Sequence, residues 1–272
     1  MTILWAFFRR DFLIQISYRL SFALSLLDML PQLLMFFFVS KLVDGSTAAS
    51  LAPYAGGYFP FVLVGVSLQR YLNLSLSSFS TSLRESQLTG TLEAMFATPT
   101  RAPLFLLGST LYSFWFNSVN ILLWLTVGAL VFGAKLDWVH LPRVIPVLLL
   151  TILAFSSLGV FSASFTMLFK RGDPVKTFVP MASYILGGVY FPVSLLPGWL
   201  KKIALLVPTT SSLEALRSLL LSRDPAAGAL DAGGSSPLLV LAVWTAIGLP
   251  LSVLCFSLAL SRVRTKGTLG HY

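Results

Sequence analysis

The chain has 272 residues, 56% of them hydrophobic and 11% charged, with a mean hydropathy of +0.83. Soluble domains carry roughly 25% charged residues, so this composition excludes a water-soluble globular protein. The formal net charge of +9 would point to nucleic acid in a soluble chain. Beside membrane ends it sets topology and meets anionic headgroups instead, so no nucleic-acid partner is expected.

Apolar stretches of helix length argue against a β-barrel, whose strands alternate over about ten residues. The expected fold is an all-α integral membrane protein, a single transmembrane domain over residues 1–272. Residues 1–19 place Trp5, Phe8, Phe12 and Ile16 on one helical face among Arg9, Arg10, Asp11 and Arg19. That pattern predicts an amphipathic helix along the membrane surface, or a charged start to the first span, and no cleavable signal peptide.

Six spans are predicted at 20–39, 54–82, 104–132, 144–169, 175–192 and 238–260. The first is interrupted by Asp28 and Pro31. The second turns polar at Gln69 and Arg70 and serine-rich to Ser82, so its later half faces protein or water. A polar connection follows, with a short helix predicted at 89–98 that Thr98 and Pro99 end. The third span is rich in aromatics, among them Phe105, Tyr112, Phe114, Trp115, Phe116 and Trp124. The fourth carries Ser156, Gly159, Ser162 and Ser164, small residues suited to close helix packing.

The fifth span breaks at Gly187-Gly188 and Tyr190-Phe191-Pro192. Two segments too short to cross follow it, over 197–221. Ser211 and Glu214 have capping-box spacing, which predicts a helix start at Ser211. Trp199, Lys201 and Lys202 suit an interface. Non-helical backbone at membrane depth is tolerated only where protein or a water-filled path covers it, so this stretch is the candidate gate of a transport path. Residues 222–237 read as a flexible loop and the C-terminal tail is basic. Lysine and arginine are more numerous on the side of the N-terminus, which predicts both termini in the cytoplasm.

No catalytic constellation is visible. The histidines His140 and His271 are far apart in the chain, Cys255 is alone in an apolar run, and HExxH and GxSxG are absent. No intrachain disulfide or thiol-based metal cluster can form. No phosphate-binding loop of the Gly-x-x-x-x-Gly-Lys-Ser/Thr type occurs either. Any ATP-driven motor must then be another polypeptide.

The segment GTLEAMFATPT (90–100) together with GGVYFPVSLLPGWLKKIALLVPTTSSLEALR (187–217) resembles the type-two permease family of ATP-binding-cassette (ABC) exporters. The order of parts is similar as well, and the resemblance runs over essentially the whole chain. It implies a permease without enzymatic activity of its own. It also implies a second permease subunit, in a homodimer or else a heterodimer, on two cytoplasmic ABC ATPase subunits that hold ATP and Mg, with membrane lipid around it and no cofactor in this chain. The ATPase-coupling helix would be formed by Thr91, Leu92, Glu93 and Phe96, closed by Thr98 and Pro99; its competitor is a helix resting on headgroups. Gly187, Gly188, Tyr190, Phe191 and Pro192 would form the outer gate. The two short helices would dip in from outside, as against lying flat on the leaflet.

Asp28 and Arg70 are charges inside predicted spans, and such groups are costly and usually paired. Measured from the inner ends they lie at similar depth, which predicts an Asp28–Arg70 pair. The function expected is export of a hydrophobic or lipid-like molecule across the plasma or inner membrane. The alternatives are export of a polysaccharide or glycolipid, and ion-coupled secondary transport. The last would need several buried acids at midplane, where only Asp28 qualifies.

Overall fold

A computed structural model describes residues 3–17, 29–43, 51, 54, 57–88, 102–169, 173–221 and 236–265. Among these the fold is helical throughout: α1 (Ile3–Ser17), α2 (Met29–Val43), α3 (Tyr58–Leu88), α4 (Ala102–Leu130), α5 (Leu141–Phe169), α6 (Pro174–Leu186), a 3₁₀ turn (Val193–Leu195), α7 (Gly198–Ala204), α8 (Pro208–Leu220) and α9 (Pro237–Thr265).

Three described helices are long and apolar enough to cross a membrane: Thr110–Leu130 within α4, α5, and Pro237–Val263 within α9. The pair α7–α8, bent by 85°, makes a fourth if counted as one broken span. The other expected spans have visible reasons to differ. α2 is described only from Met29, so all of 20–28 lies outside the described residues. α6 ends after 13 residues at the break. α3 is 31 residues long but polar in its later half. Its first half is enclosed, with residues 59–69 all buried, so Ser67 and Gln69 meet protein rather than lipid.

Close packing holds α5 against α3. A Cβ at Gly159 of α5 would sit 2.2 Å from the Ser75 carbonyl oxygen of α3, so only glycine admits this approach. Ser156, Ser162 and Ser164 are buried beside it. α9 lies along α5, and α4 joins α3 through Trp124, whose Nε1 donates to the Leu63 carbonyl at 3.4 Å. Part of the aromatic content of α4 meets α1. Phe8 and Phe12 contact Tyr112 and Trp115 with ring centroids 5.6–6.2 Å apart. The apolar face predicted for the N-terminal helix is thus used against α4.

Two helix starts follow simple rules. Asp173 caps α6, accepting from the Lys176 N–H at 3.1 Å, and Pro174 occupies the first turn, where its missing N–H costs nothing. α8 begins at Pro208, three residues before the predicted Ser211. Its N-cap Val207 makes no side-chain cap bond. Pro208 pre-sets the first turn by the same rule, so Ser211 lies inside the helix and is buried. The capping box does not form.

Candidate functional site: the broken helix and its braces

α6 stops because two glycines follow it. The Gly187 N–H still bonds the Ser183 carbonyl at 2.9 Å, closing the last turn. Gly188 then adopts φ +71°, a left-handed conformation that costs a side-chain-bearing residue about 1–2 kcal/mol. The chain turns through Val189, fully buried, to Pro192 and the 3₁₀ turn. Breaking the helix exposes backbone carbonyls that water cannot serve in an apolar interior.

Arg217 of α8 serves them. Its side chain is buried, with Nη1 donating to the Gly188 carbonyl at 2.8 Å and Nη2 to the Val189 carbonyl at 3.2 Å. Nη2 also donates to the Phe61 carbonyl of α3 at 2.9 Å, and the guanidinium carbon lies 3.4 Å from the centroid of the Phe61 ring. One planar cation therefore joins the break, α8 and α3, as only a fork of fixed donors can. Gly65 makes room for it. A Cβ there would fall 2.3 Å from the Val189 oxygen and 2.7 Å from Nη2.

Smaller contacts lock the same corner. The Ser183 and Thr209 hydroxyls lie 3.1 Å apart, and Thr210 donates to the Leu186 carbonyl at 3.2 Å. Both tie the start of α8 to the end of α6. Thr151 of α5 donates to Ser212 at 3.2 Å. Tyr190 stacks on Tyr184 at 5.4 Å and on Phe36 of α2 at 5.8 Å, which brings α2 to the break.

The opposite end of α6 has a brace of opposite charge. Beyond its capping bond, the Asp173 carboxylate accepts from Ser162 and, at 3.2 Å, from Thr166, both on α5. Ser80 of α3 approaches at 3.5 Å. Midway, the Gln69 amide of α3 donates to the Pro180 carbonyl at 3.4 Å. α6 is thus held to α3 at three levels, by an arginine, an amide and an aspartate.

Of the residues singled out in the sequence, Gly187, Gly188, Tyr190, Phe191 and Pro192 lie together at the break. Thr91, Leu92, Glu93, Phe96, Thr98 and Pro99 lie outside the described residues, as does Asp28. Arg70 donates from Nη2 to Gln32 of α2 at 2.8 Å and lies 4.5 Å from the Trp124 ring centroid. α3 continues to Leu88, beyond the predicted span end at residue 82. The sequence reading gives Arg217 no role beyond closing the segment 187–217. The available signal was its setting: a lone cation among Leu213, Leu216, Leu219 and Leu220 on a helix too short to cross alone.

A family profile described as ABC-2 type transporter matches residues 2–221, which takes in the break and Arg217. Nodulation protein J of Rhizobium meliloti (strain 1021) is similar over a shorter stretch, 31% identical across 85 residues. That stretch is 31% of this chain and 32% of the relative, so the two align over about a third of their lengths.

Proposed function

Because the chain belongs to the ABC-2 type transporter family, a family of membrane permeases, we propose that it is the permease subunit of an ATP-driven exporter. On this reading its motor is a separate ABC ATPase, its cargo is hydrophobic or lipid-like, and two permease subunits enclose the path. The observation that carries the reading is the broken helix closed by Arg217. A span interrupted by a polar, protein-covered break is a bistable element: the same carbonyls can be served by arginine or by water in an open path. Ordinary packing helices have no need of one.

The helix at Thr91, Leu92, Glu93 and Phe96 is the proposed receiver of the ATPase stroke. With both termini in the cytoplasm, it faces the motor while the break opens outward. α3 leads toward that connection and also carries Phe61, Gly65, Gln69 and Ser80, so displacement of α3 would strain its contacts with Arg217, Pro180 and Asp173 at once.

The test is purification of the chain with its partner ATPase in vesicles and a survey of compounds that stimulate ATP hydrolysis. Stimulation by hydrophobic compounds, lost on removing residues 91–96, is the expected result. Stimulation by a polysaccharide or glycolipid alone would replace the cargo. An ATPase indifferent to this chain would overturn the reading.

A further inference from the structure

An apolar cavity of about 310 Å³ lies between α3, α4, α5 and α8. It is roughly twice the size of an engineered apolar cavity of about 150 Å³ that holds a benzene-sized guest. The hydroxyls in its wall are Ser67, Tyr71 and Ser118, and all are engaged. Ser67 donates to the Leu63 carbonyl, Ser118 to the Phe114 carbonyl, and the Tyr71 hydroxyl pairs with Ser118. With those protons committed, the wall offers a water a few acceptor lone pairs and no donor, short of the two to four well-placed partners that hold one. The occupant this wall accepts is hydrocarbon.

Its position says which hydrocarbon. The rim is formed by Leu122 of α4 and Ile145 and Leu149 of α5, which are 49%, 55% and 57% exposed. Both helices contain stretches long and apolar enough to cross a membrane, so the mouth faces acyl chains. The cavity continues to Leu136, Trp138 and Leu141 in and beside the α4–α5 loop. That loop also carries Lys135, with Arg143 at the start of α5, both exposed and neither within 4 Å of a carboxylate among the described residues. The one acid in the loop, Asp137, is turned to the Val139 N–H at 2.9 Å and to His140 at 3.0 Å. An exposed tryptophan with two cations above an apolar slot fits a headgroup at the interface.

The geometry points to a resident anionic phospholipid, one acyl chain in the cavity and its phosphate at Lys135 and Arg143. It is separate from the proposed transport path, because the two use different faces of α3. Phe61, Gly65 and Gln69 face the break and α6, while Val64, Leu68 and Tyr71 face the cavity. The bound chain would nevertheless bear on α8, since Leu216 and Leu220 line the cavity beside Arg217. The Leu220 carbonyl also accepts from the Asp137 N–H at 2.9 Å, fastening the headgroup loop to the helix that carries the brace.

The test is photo-crosslinking of the full chain in nanodiscs with phosphatidylglycerol or phosphatidylcholine carrying the same diazirine-labelled acyl chain. Labelling should concentrate on Leu122, Leu149 and their neighbours, with phosphatidylglycerol favoured roughly thirtyfold, the scale of two interfacial cations. Lys135→Ala with Arg143→Ala should abolish that preference without preventing capture, and these exposed sites leave packing intact. Leu148→Trp should fill the cavity and reduce capture of both lipids. Equal capture of the two lipids by the parent chain overturns the proposal, as does labelling spread evenly over the surface. So does a chain-to-chain crosslink at this face, which would make the occupant a second copy. With the partner ATPase present, loss of capture when ATP is added before irradiation would make the lipid cargo and also overturn a resident site. Binding is read here without transport, so failure leaves the export reading standing.

Discussion

Arg217→Met tests the brace at the break most sharply. The substitution keeps the length and apolar stem of the side chain and removes three hydrogen bonds. The Phe61 carbonyl lies within α3 and keeps its helical partner, so the loss falls on Gly188 and Val189. A hydrogen bond from a charged donor contributes about 1.5–3 kcal/mol, so two carry at least about 3 kcal/mol. Each 1.4 kcal/mol is about tenfold, and the open population of the break should rise roughly a hundredfold. Val189, fully buried beside the brace, provides the probe. In a Cys255→Ser background, Val189→Cys is labelled with a membrane-impermeant maleimide, and where closing outpaces labelling the rate follows the open fraction. The expected order is slow with Arg217, intermediate with Arg217→Lys, whose point charge lacks the fork, and fast with Arg217→Met. An unchanged rate in a protein that remains folded would refute the brace.

Other sites give independent readings. Gly188→Ala forces a side chain into φ +71° with its Cβ 2.7 Å from Val193; it should cost about 1–2 kcal/mol, read as a lower melting temperature. Asp173→Ala removes the α6 cap, a loss of about 1 kcal/mol. Because Ser162 and Thr166 also contact other carbonyls at 3.3 Å, the melting loss should stay near that figure; a far larger loss would make Asp173 a central brace. Asp137 in the α4–α5 loop is held below the usual carboxylate range, chiefly by the Val139 N–H and then by His140. A depressed carboxylate stabilises the fold above its unfolded value, about 3.9, and loses that contribution as pH falls through its folded value. The melting difference between the parent and Asp137→Asn should therefore be constant at neutral pH and vanish in acid; a difference that grows on acidification would contradict the assignment.

Much of this architecture is legible in the chain itself. The break announces itself because Gly187, Gly188 and Pro192 cannot continue a helix, and the small residues of α5 announce close packing. What stays hidden is pairing across long sequence distance. Nothing local marks Arg217 as the partner of carbonyls 28 and 29 residues earlier and of Phe61, 156 residues away. Its charge looks like any surface cation until the fold buries it. The start of α8 shows the reverse fault. Ser211 and Glu214 satisfy a local rule, but Pro208 begins the helix a turn earlier and tertiary contacts through Thr209 and Thr210 fix it there. In α3, hydropathy understates a central helix because its polar side chains are satisfied by neighbours rather than excluded from the interior.

Central to the proposed function is that the break is opened from the other side of the membrane by a separate ATPase. Labelling of Val189→Cys in vesicles holding both the permease and its partner ATPase tests it directly. The account predicts that ATP accelerates labelling, that Glu93→Ala abolishes the acceleration, and that vesicles without the ATPase do not respond. ATP-independent labelling with the ATPase present, or an ATP response in its absence, would contradict it.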